Sequence, residues 1–176
     1  PDMGPVPGED LSLALCEMAA QESMTVFLYG GESGVAQQLG QMLTKTYPGL
    51  QVVGTYTPPF RPLTEQEETE LINQVQQVEP DIFWVGLGSP KQERFMAQYL
   101  PKLDTKVMLG FGAVFDYHTG RIPRTPKFLR IIGFAWLYRL CYQPRRLFKR
   151  YAYYNPRFVG HVLAQKIRIK NYPLLE

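Results

Sequence analysis

Four short apolar runs, each ending at glycine, occupy the first two thirds of the chain. They cover residues 25–29, 50–53, 82–85 and 106–110. Runs of this length, rich in β-branched and aromatic residues, indicate buried strands and are too short for buried helices. The glycines that end them are Gly30 and Gly31, Gly54, Gly86 and Gly88, and Gly110 and Gly112. We therefore predict four strands that end in glycine turns.

The segments between these runs carry apolar residues at helical spacing. They predict helices at residues 11–21, 35–46, 65–78 and 90–100. Asp10 can cap the first of these helices, and Thr64 with Glu67 has the spacing of a capping box before the third. The repeated order of strand, glycine turn and helix predicts the fold class α/β. The architecture we expect is a Rossmann-like open parallel sheet with helices on both faces.

The predicted topology also indicates where a ligand would bind. Right-handed crossovers bring the carboxyl ends of parallel strands to one edge of the sheet, and ligands of such proteins bind at that edge. The glycines that follow the four strands, including Gly54, should therefore meet there.

The stretch of residues 79–93 is the most informative part of this edge. The strand 82–85 stops at Gly86 and Gly88, after which Ser89 is a good N-cap and Pro90 suits a first helical turn. Lys91, Gln92 and Glu93 then place a cation, an amide and a carboxylate on that turn. The stretch can be a phosphate-binding turn or an ordinary tight connection. It lacks the glycine spacing of a dinucleotide fingerprint or a P-loop. The proline-rich loop at 55–63 also has two possible roles, as a binding loop or as a rigid surface connection.

Composition narrows the class of protein. A chain of 176 residues with 45% hydrophobic and 20% charged residues suits one globular domain. Cys16 and Cys141 lie far apart within predicted helices, so we expect buried thiols, and two histidines make a histidine metal site improbable. The start lacks the pattern of a secretory leader, and the apolar run 131–138 is too short to span a bilayer. The pattern favours a soluble cytoplasmic protein.

Charge divides the chain sharply. Residues 1–116 hold 6 Lys/Arg and 15 Asp/Glu, a net −9, whereas residues 117–176 hold 13 Lys/Arg and one acid, a net +12. Beyond Asp116 the pattern predicts helices at 128–140, 144–153 and 156–170, each beginning at or near a proline. We therefore predict an α/β domain at 1–116 and a basic, aromatic helical appendage at 117–176. Cations interleaved with aromatics suit an anionic membrane surface, although the aromatics can instead pack on the sheet domain.

Several separated segments resemble the WecG/TagA/CpsF family of bacterial glycosyltransferases. They run, in order, through residues 26–31, 47–50, 80–93, 112–116, Gly120, 124–126, 136–140 and 144–146. The resemblance extends from about Val6 to about Gln165. The combination of these segments, in this order and at these spacings, is highly specific for the family.

The resemblance implies a reaction and its partners. It implies an inverting, metal-independent transfer without a cofactor, in which a UDP-sugar, commonly UDP-N-acetylmannosamine, is the donor. The implied acceptor is a polyprenyl-diphosphate-linked sugar, in the synthesis of wall teichoic acid, a common antigen or an exopolysaccharide. The basic tail would dock on the inner face of the cytoplasmic membrane, where the acceptor resides.

The resemblance also suggests roles for individual residues. The residues expected to bind the donor at the sheet edge are Gly30, Gly31, Gly86, Gly88, Ser89, Pro90, Lys91, Gln92 and Glu93. The three arginines expected to stabilise the leaving UDP are Arg124, Arg139 and Arg145.

Two departures from the family pattern concern catalysis. The family's proposed base is the aspartate of a Pro-Asp-Gly motif, which we expect to lie upstream of Pro1. Family members usually have Glu where this chain has Ala135, which leaves the partner of a nearby arginine, such as Arg139, open. Within the chain Asp116 is a candidate base, although its carboxylate can instead accept amides of the 112–120 turn, and Glu93 is a second candidate.

The leading hypothesis is therefore a glycosyltransferase, with low activity in the chain as it stands. The alternative is a non-catalytic module that binds a UDP-sugar or a lipid phosphate. No nucleic-acid partner is predicted, since no recognition motif accompanies the basic tail. The resemblance leaves the oligomeric state open.

Overall fold

A computed structural model describes residues 6–167 of the chain. Its strands are β1 (Thr25–Gly30), β2 (Gln51–Tyr56), β3 (Ile82–Gly86) and β4 (Val107–Gly110). Its helices are α1 (Gly8–Gln21), α2 (Val35–Thr46), α3 (Glu65–Val78), α4 (Lys91–Tyr99), α5 (Val114–His118), α6 (Lys127–Ile131), α7 (Ala135–Tyr142) and α8 (Pro144–Lys166). The described chain forms two compact units that divide between Pro123 and Arg124. This division lies beyond the predicted boundary at Asp116 because α5 contacts α1 and α2 of the first unit.

The first unit contains one parallel sheet in the order β2-β1-β3-β4. The chain passes from β1 outward to β2 and then returns across β1 to form β3. This reversal makes the gap between the carboxyl ends of β1 and β3 the topological switch point of the sheet. The predicted α/β class and open parallel sheet are confirmed.

The two faces of the sheet are covered by different helices. Val26 and Trp84 point to a core cluster formed with α1, α2 and α5. Phe27 and Phe83, which are their direct neighbours in sequence, point to the opposite cluster with α3 and α4. The alternation follows from the pleat of the strands, and burial on both faces explains the continuous apolar runs in the sequence. Helices on both faces were correctly predicted.

Asp81 joins the amino ends of three strands. Its Oδ2 accepts hydrogen bonds from the amide of Thr25 at 2.8 Å and from the Thr25 hydroxyl at 3.1 Å. Its Oδ1 lies 2.5 Å from Nζ of Lys106, just before β4. The hydrogen bond from Lys106, followed by that from the Thr25 amide, lowers the pKa of Asp81 to about 2. These contacts stabilise the edge of the sheet opposite the switch point.

Gly54 does not end the second strand, contrary to prediction. Strand β2 continues to Tyr56, and Gly54 pairs with Phe27 at a register shift between Val26 and Phe27. A Cβ atom at position 54 would lie 2.4 Å from the Phe27 ring. This glycine therefore makes room for an aromatic side chain within the sheet and is not part of the carboxyl edge.

The first helix begins earlier than predicted. Its N-cap is Pro7, whose carbonyl accepts the amide of Leu11 at 3.0 Å, so Asp10 lies in the first turn instead of capping it. A carboxylate there interacts favourably with the positive end of the helix dipole. The capping box of Thr64 and Glu67 at the start of α3, by contrast, is confirmed.

The second unit, from Arg124, contains α6, α7 and α8. Gly133, at a φ of +81°, separates α6 from α7, so the predicted helix at 128–140 is two shorter helices. The predicted break before Pro156 is wrong, because α8 continues through it. Arg157 donates a hydrogen bond to the Tyr153 carbonyl at 2.9 Å and its guanidinium lies 3.4 Å from the Tyr153 ring centroid. These contacts span the turn that Pro156 weakens. The end of the predicted helix, at 168–170, lies outside the described residues.

The two thiols differ in environment. Cys16 is buried, and that burial raises its pKa to about 12. Cys141 is exposed on α7, so the prediction that both thiols are buried is wrong for this residue. Residues 6–167 contain no helix whose length and apolar character would suffice to cross a bilayer.

Candidate functional site

The glycines after β1 and β3 bring these strands into very close contact at the switch point. Gly30 pairs with Gly86, and the amide of Gly31 donates to the Gly86 carbonyl at 3.0 Å. A Cβ atom on Gly30 would lie 2.6 Å from the backbone of Gly86, and the φ of Gly30 is +128°. Both observations require glycine at position 30.

A third chain segment, after β4, joins this contact. A Cβ atom on Gly112 would lie 2.6 Å from Cα of Gly88, and one on Gly86 would lie 2.7 Å from the ring of Phe115. The chain segments after β1, β3 and β4 therefore pack against each other through glycine. Close packing is sufficient to explain why residue 86 is glycine, as expected for an ordinary tight connection. Because these residues are glycines, backbone atoms rather than side chains line this edge of the sheet.

Gln92 fixes the loop after β4 to the start of α4. Its Oε1 accepts a hydrogen bond from the amide of Gly112 at 3.1 Å, and its Nε2 donates to Oε1 of Glu93 at 3.3 Å. A Cβ atom on Gly110 would meet the same Gln92 amide at 2.6 Å. The sequence suggested Gln92 as a donor-binding side chain. The structure gives it a positioning role at that edge, which the spacing of Gly110 and Gly112 could not reveal.

Helix α4 begins without the predicted serine cap. Its N-cap is Pro90, and no side-chain capping hydrogen bond is formed. The amide of Gln92, which a serine cap would satisfy, donates to the Gly88 carbonyl at 3.0 Å. Lys91 and Glu93 lie exposed on the first turn.

Helix α2 also begins at the carboxyl edge, directly after β1. Its N-cap is Gly34 in the left-handed conformation, with no side-chain capping hydrogen bond and no acid in the first turn. A helix N-terminus of this kind favours an anion through its amides and its dipole. The edge thus presents the N-termini of α2 and α4 on either side of the switch point.

Glu32 and Arg121, which the sequence did not indicate, form an ion pair at this edge. Oε2 of Glu32, in the turn between β1 and α2, contacts a guanidinium nitrogen of Arg121, in the turn after α5. The backbone amides of Arg121 and Ile122 donate to the Asp116 carbonyl at 3.0 and 3.2 Å. Since 89 residues separate the two charges, no local pattern could have paired them.

Asp116 lies half-buried on α5, in the segment that follows β4. The hydrogen bonds to Arg121 and Ile122 use its main-chain carbonyl. Its role as a base stays a prediction.

The loop after β2 is anchored at its far end. Arg61 donates two hydrogen bonds to the Glu67 carboxylate, at 2.6 and 2.8 Å, and the amide of Thr64 donates to the same group at 2.8 Å. These contacts, with that from Arg61 the largest, lower the pKa of Glu67 to about 2. Phe60 within the loop is 84% exposed. The loop therefore ends in a fixed connection and presents one exposed aromatic ring.

The three predicted arginines belong to the second unit. Arg124 precedes α6, Arg139 lies on α7 and Arg145 lies in the first turn of α8. Among the predicted residues, the structure therefore brings Gly30, Gly31, Gly86, Gly88 and Gln92 together within the first unit.

The second unit exposes many large apolar side chains. We call these side chains, together with the Lys and Arg residues interleaved with them, the aromatic–basic surface. Its most exposed members are Phe128, Ile131, Phe148, Tyr154, Phe158 and Ile167. Within α8, Phe158, Val159, Val162 and Leu163 repeat at helical spacing and lie on one side of the helix. Exposed apolar side chains grouped on one side of a helix are typical of interaction sites.

The order of the sheet and its glycine-lined switch point define a doubly wound α/β protein. Proteins of this class typically bind their ligands at the carboxyl edge of the sheet, at such a switch point. Residues 1–172 match the model of the glycosyl transferase WecG/TagA/CpsF family, and the chain belongs to that family.

Two curated proteins are similar to this chain. Both are named N-acetylglucosaminyldiphosphoundecaprenol N-acetyl-beta-D-mannosaminyltransferase, one from Bacillus subtilis (strain 168) and one from Bacillus spizizenii (strain ATCC 23059 / NRRL B-14472 / W23). They are 28% and 29% identical to it over 141 residues, which cover 80% of this chain and 53% of each relative. The chain spans about half the length of the curated relatives it matches.

Proposed function

We propose that this protein acts as an inverting glycosyltransferase, which moves an N-acetylmannosamine-type sugar from a UDP-sugar to a polyprenyl-diphosphate-linked acceptor. Membership of the family supports the reaction type. The names of the two relatives, which specify N-acetyl-β-D-mannosaminyl transfer and an undecaprenol-linked N-acetylglucosaminyl diphosphate, support the choice of donor sugar and acceptor.

The observation that carries the proposal is the carboxyl edge at the switch point. The UDP diphosphate would lie outside Gly31 and Gly88, between the starts of α2 and α4. Glycine lets the backbone approach a ligand closely, and the helix N-termini favour its negative charge. Gln92 would act by holding the Gly112 loop at the edge of this site.

The reaction needs a base and a stabiliser of the leaving group. In an inverting transfer the acceptor hydroxyl attacks the anomeric carbon and loses its proton, while the bond to UDP breaks with both electrons on the diphosphate. Asp116 is the candidate base among the described residues, and Arg124, Arg139 and Arg145 are the proposed cations for the leaving UDP. With arginines in this role, the proposed mechanism uses no metal ion.

A turnover assay with UDP-N-acetylmannosamine and a lipid-linked N-acetylglucosaminyl diphosphate tests the proposal. We expect a β-linked disaccharide product and release of UDP, with UDP-glucose as the control donor. Isothermal titration with UDP accompanies the assay. Saturable binding without turnover would favour the alternative of a non-catalytic UDP-sugar-binding module, and absence of binding would contradict both.

We also propose that the second unit places the protein on the inner face of the cytoplasmic membrane as a peripheral protein. The aromatic–basic surface supports this, since exposed rings suit the level of the lipid headgroups and the interleaved cations suit their phosphates. A protein held at the membrane would meet a polyprenyl-linked acceptor directly.

A further inference from the structure

The ion pair between Glu32 and Arg121 connects two turns that lie beside the switch point. Glu32 follows Gly31, whose amide bonds to Gly86, and the main-chain carbonyl of Glu32 accepts the amide of Val35 at 3.0 Å. The main chain of Glu32 is therefore fixed next to the start of α2, and the first turn of that helix contains no acid. Instead of facing only solvent, its carboxylate contacts the Arg121 guanidinium.

Arg121 is held from the other side of the same edge. Its amide donates to the Asp116 carbonyl in the middle of α5, and α5 contacts both α1 and α2. The backbone of Arg121 is thus fixed, while its side chain remains 40% exposed. Its partner Glu32 is 59% exposed. Exposed ion pairs contribute little to stability, so the guanidinium can exchange Glu32 for another anion at small cost.

A diphosphate can displace a carboxylate from such an arginine. The guanidinium presents parallel N–H donors that match phosphate oxygens in a bidentate arrangement, and a diphosphate carries more charge than one carboxylate. We infer that Arg121 binds the diphosphate of the nucleotide-sugar donor, and that Glu32 occupies the guanidinium of Arg121 when the site is empty. This inference rests on the proposed function and adds to it a residue of the first unit. Glu32 then acts as a competitor that lowers the affinity for the donor.

The other ion pairs of the described residues supply matched controls. Lys102 and Glu68 join the turn after α4 to α3, with Nζ and Oε1 at 2.5 Å and exposed fractions of 41% and 26%. This pair is similarly exposed at its cation, but neither residue follows a strand at the carboxyl edge. Its removal should change net charge in the same way without changing the proposed site.

Isothermal titration of the full chain with UDP tests the inference. We expect Arg121→Gln to weaken UDP binding about tenfold, and Arg121→Lys to weaken it less, since lysine keeps the charge and loses the bidentate geometry. We expect Glu32→Gln to tighten binding by about two- to fivefold, because the competitor is gone. The double variant should bind as weakly as Arg121→Gln alone. Lys102→Gln and Glu68→Gln should bind UDP as the unmodified protein does, and thermal unfolding should show that every variant is folded.

Three results would overturn the inference. Unchanged binding in Arg121→Gln would exclude the arginine as a ligand, while weaker binding in Glu32→Gln would exclude competition. A gain from Glu32→Gln that persists in the double variant would indicate a general effect of charge. Geranyl diphosphate serves as a second titrant: if Arg121→Gln weakened its binding but left that of UDP unchanged, the residue would serve the acceptor diphosphate instead. Failure of the unmodified protein to bind UDP would contradict the proposed function as well. Failure of the inference alone would instead leave UDP binding by the unmodified protein intact, so the two outcomes can be told apart.

Discussion

The side chain of Gln92 accepts a hydrogen bond from the amide of Gly112 at 3.1 Å, which joins the first turn of α4 to the loop that follows β4. The contact is direct because Gly112 and Gly88 approach each other without intervening side chains. One amide group therefore fixes the relative position of two segments of the carboxyl edge.

Replacement of Gln92 should test this positioning role. Gln92→Ala leaves the half-buried Gly112 amide without its side-chain acceptor, so we expect the free energy of unfolding to fall by about 1–2 kcal/mol. UDP binding should weaken as well, because the loop loses its anchor. Chemical denaturation and UDP titration measure the two effects.

Gln92→Glu is the control for this variant. It keeps an acceptor oxygen for the Gly112 amide but loses the hydrogen bond to Glu93 and places a second carboxylate beside that residue. It should therefore lose less stability than Gln92→Ala, while the added negative charge should still weaken UDP binding. An alanine variant of unchanged stability would argue against the positioning role.

The glycine at the end of β1 should tolerate no side chain. Gly30→Ala places a Cβ atom 2.6 Å from the Gly86 backbone at a φ of +128°, and we expect a loss of more than about 3 kcal/mol in the free energy of unfolding. Gly34→Ala is the matched comparison, since its φ is also positive, at +79°, but nothing lies within 4 Å of the added atom. Its cost should be about 1 kcal/mol, from backbone strain alone. Equal losses of unfolding free energy for the two variants in denaturant titrations would show that the close contact between Gly30 and Gly86 does not account for the effect of Gly30→Ala.

Acid should weaken the opposite edge of the sheet through Asp81. The pKa of Asp81 is lowered from 3.8 to about 2, chiefly by the hydrogen bond from Lys106, so its ionised form stabilises the folded protein. That contribution is complete above about pH 4 and is lost as the pH falls toward 2. Asp81→Asn should therefore reduce stability by about 1–2 kcal/mol at neutral pH, where solvent partly screens the ion pair.

The pH dependence separates this effect from a simple packing defect. The difference in stability between the unmodified protein and Asp81→Asn should shrink as the pH falls from about 4 to about 2. Asp104→Asn, which makes the same change at an exposed residue, is the control. A difference that stays constant over this range in denaturation experiments would count against the ionic contribution of Asp81.

Membrane association should depend on one side of α8. Val162→Asp puts a charge among the exposed apolar residues of that side, and we expect much weaker co-sedimentation with vesicles of anionic phospholipid. Ala164→Asp adds the same charge two residues on, about 200° around the helix, and should bind nearly as well as the unmodified protein. Equal loss in both variants would attribute binding to net charge alone, and binding unaffected in either would argue against this side of α8 as the membrane contact.

The features that the sequence predicts correctly depend on local contacts. The capping box of Thr64 and Glu67 was predicted because all of its contacts lie within one helical turn. The order of strands and helices followed from hydrophobic periodicity for the same reason. Gly54 was misplaced because the ring that it accommodates belongs to Phe27, on a neighbouring strand. Ser89 was misassigned as a cap because the amide it would satisfy bonds to the Gly88 carbonyl.

The sequence by itself determined the α/β class, three of the four glycine-ended strands and, through separated motifs, the family of the protein. These features depend on residues near in the chain or on fixed spacings, and both can be read without coordinates. Only the tertiary structure decided which glycines meet at the switch point, that Gln92 holds the Gly112 loop, and that Glu32 faces Arg121 across 89 residues. Such contacts form only when crossovers bring distant strand ends together, so no local pattern of residues encodes them.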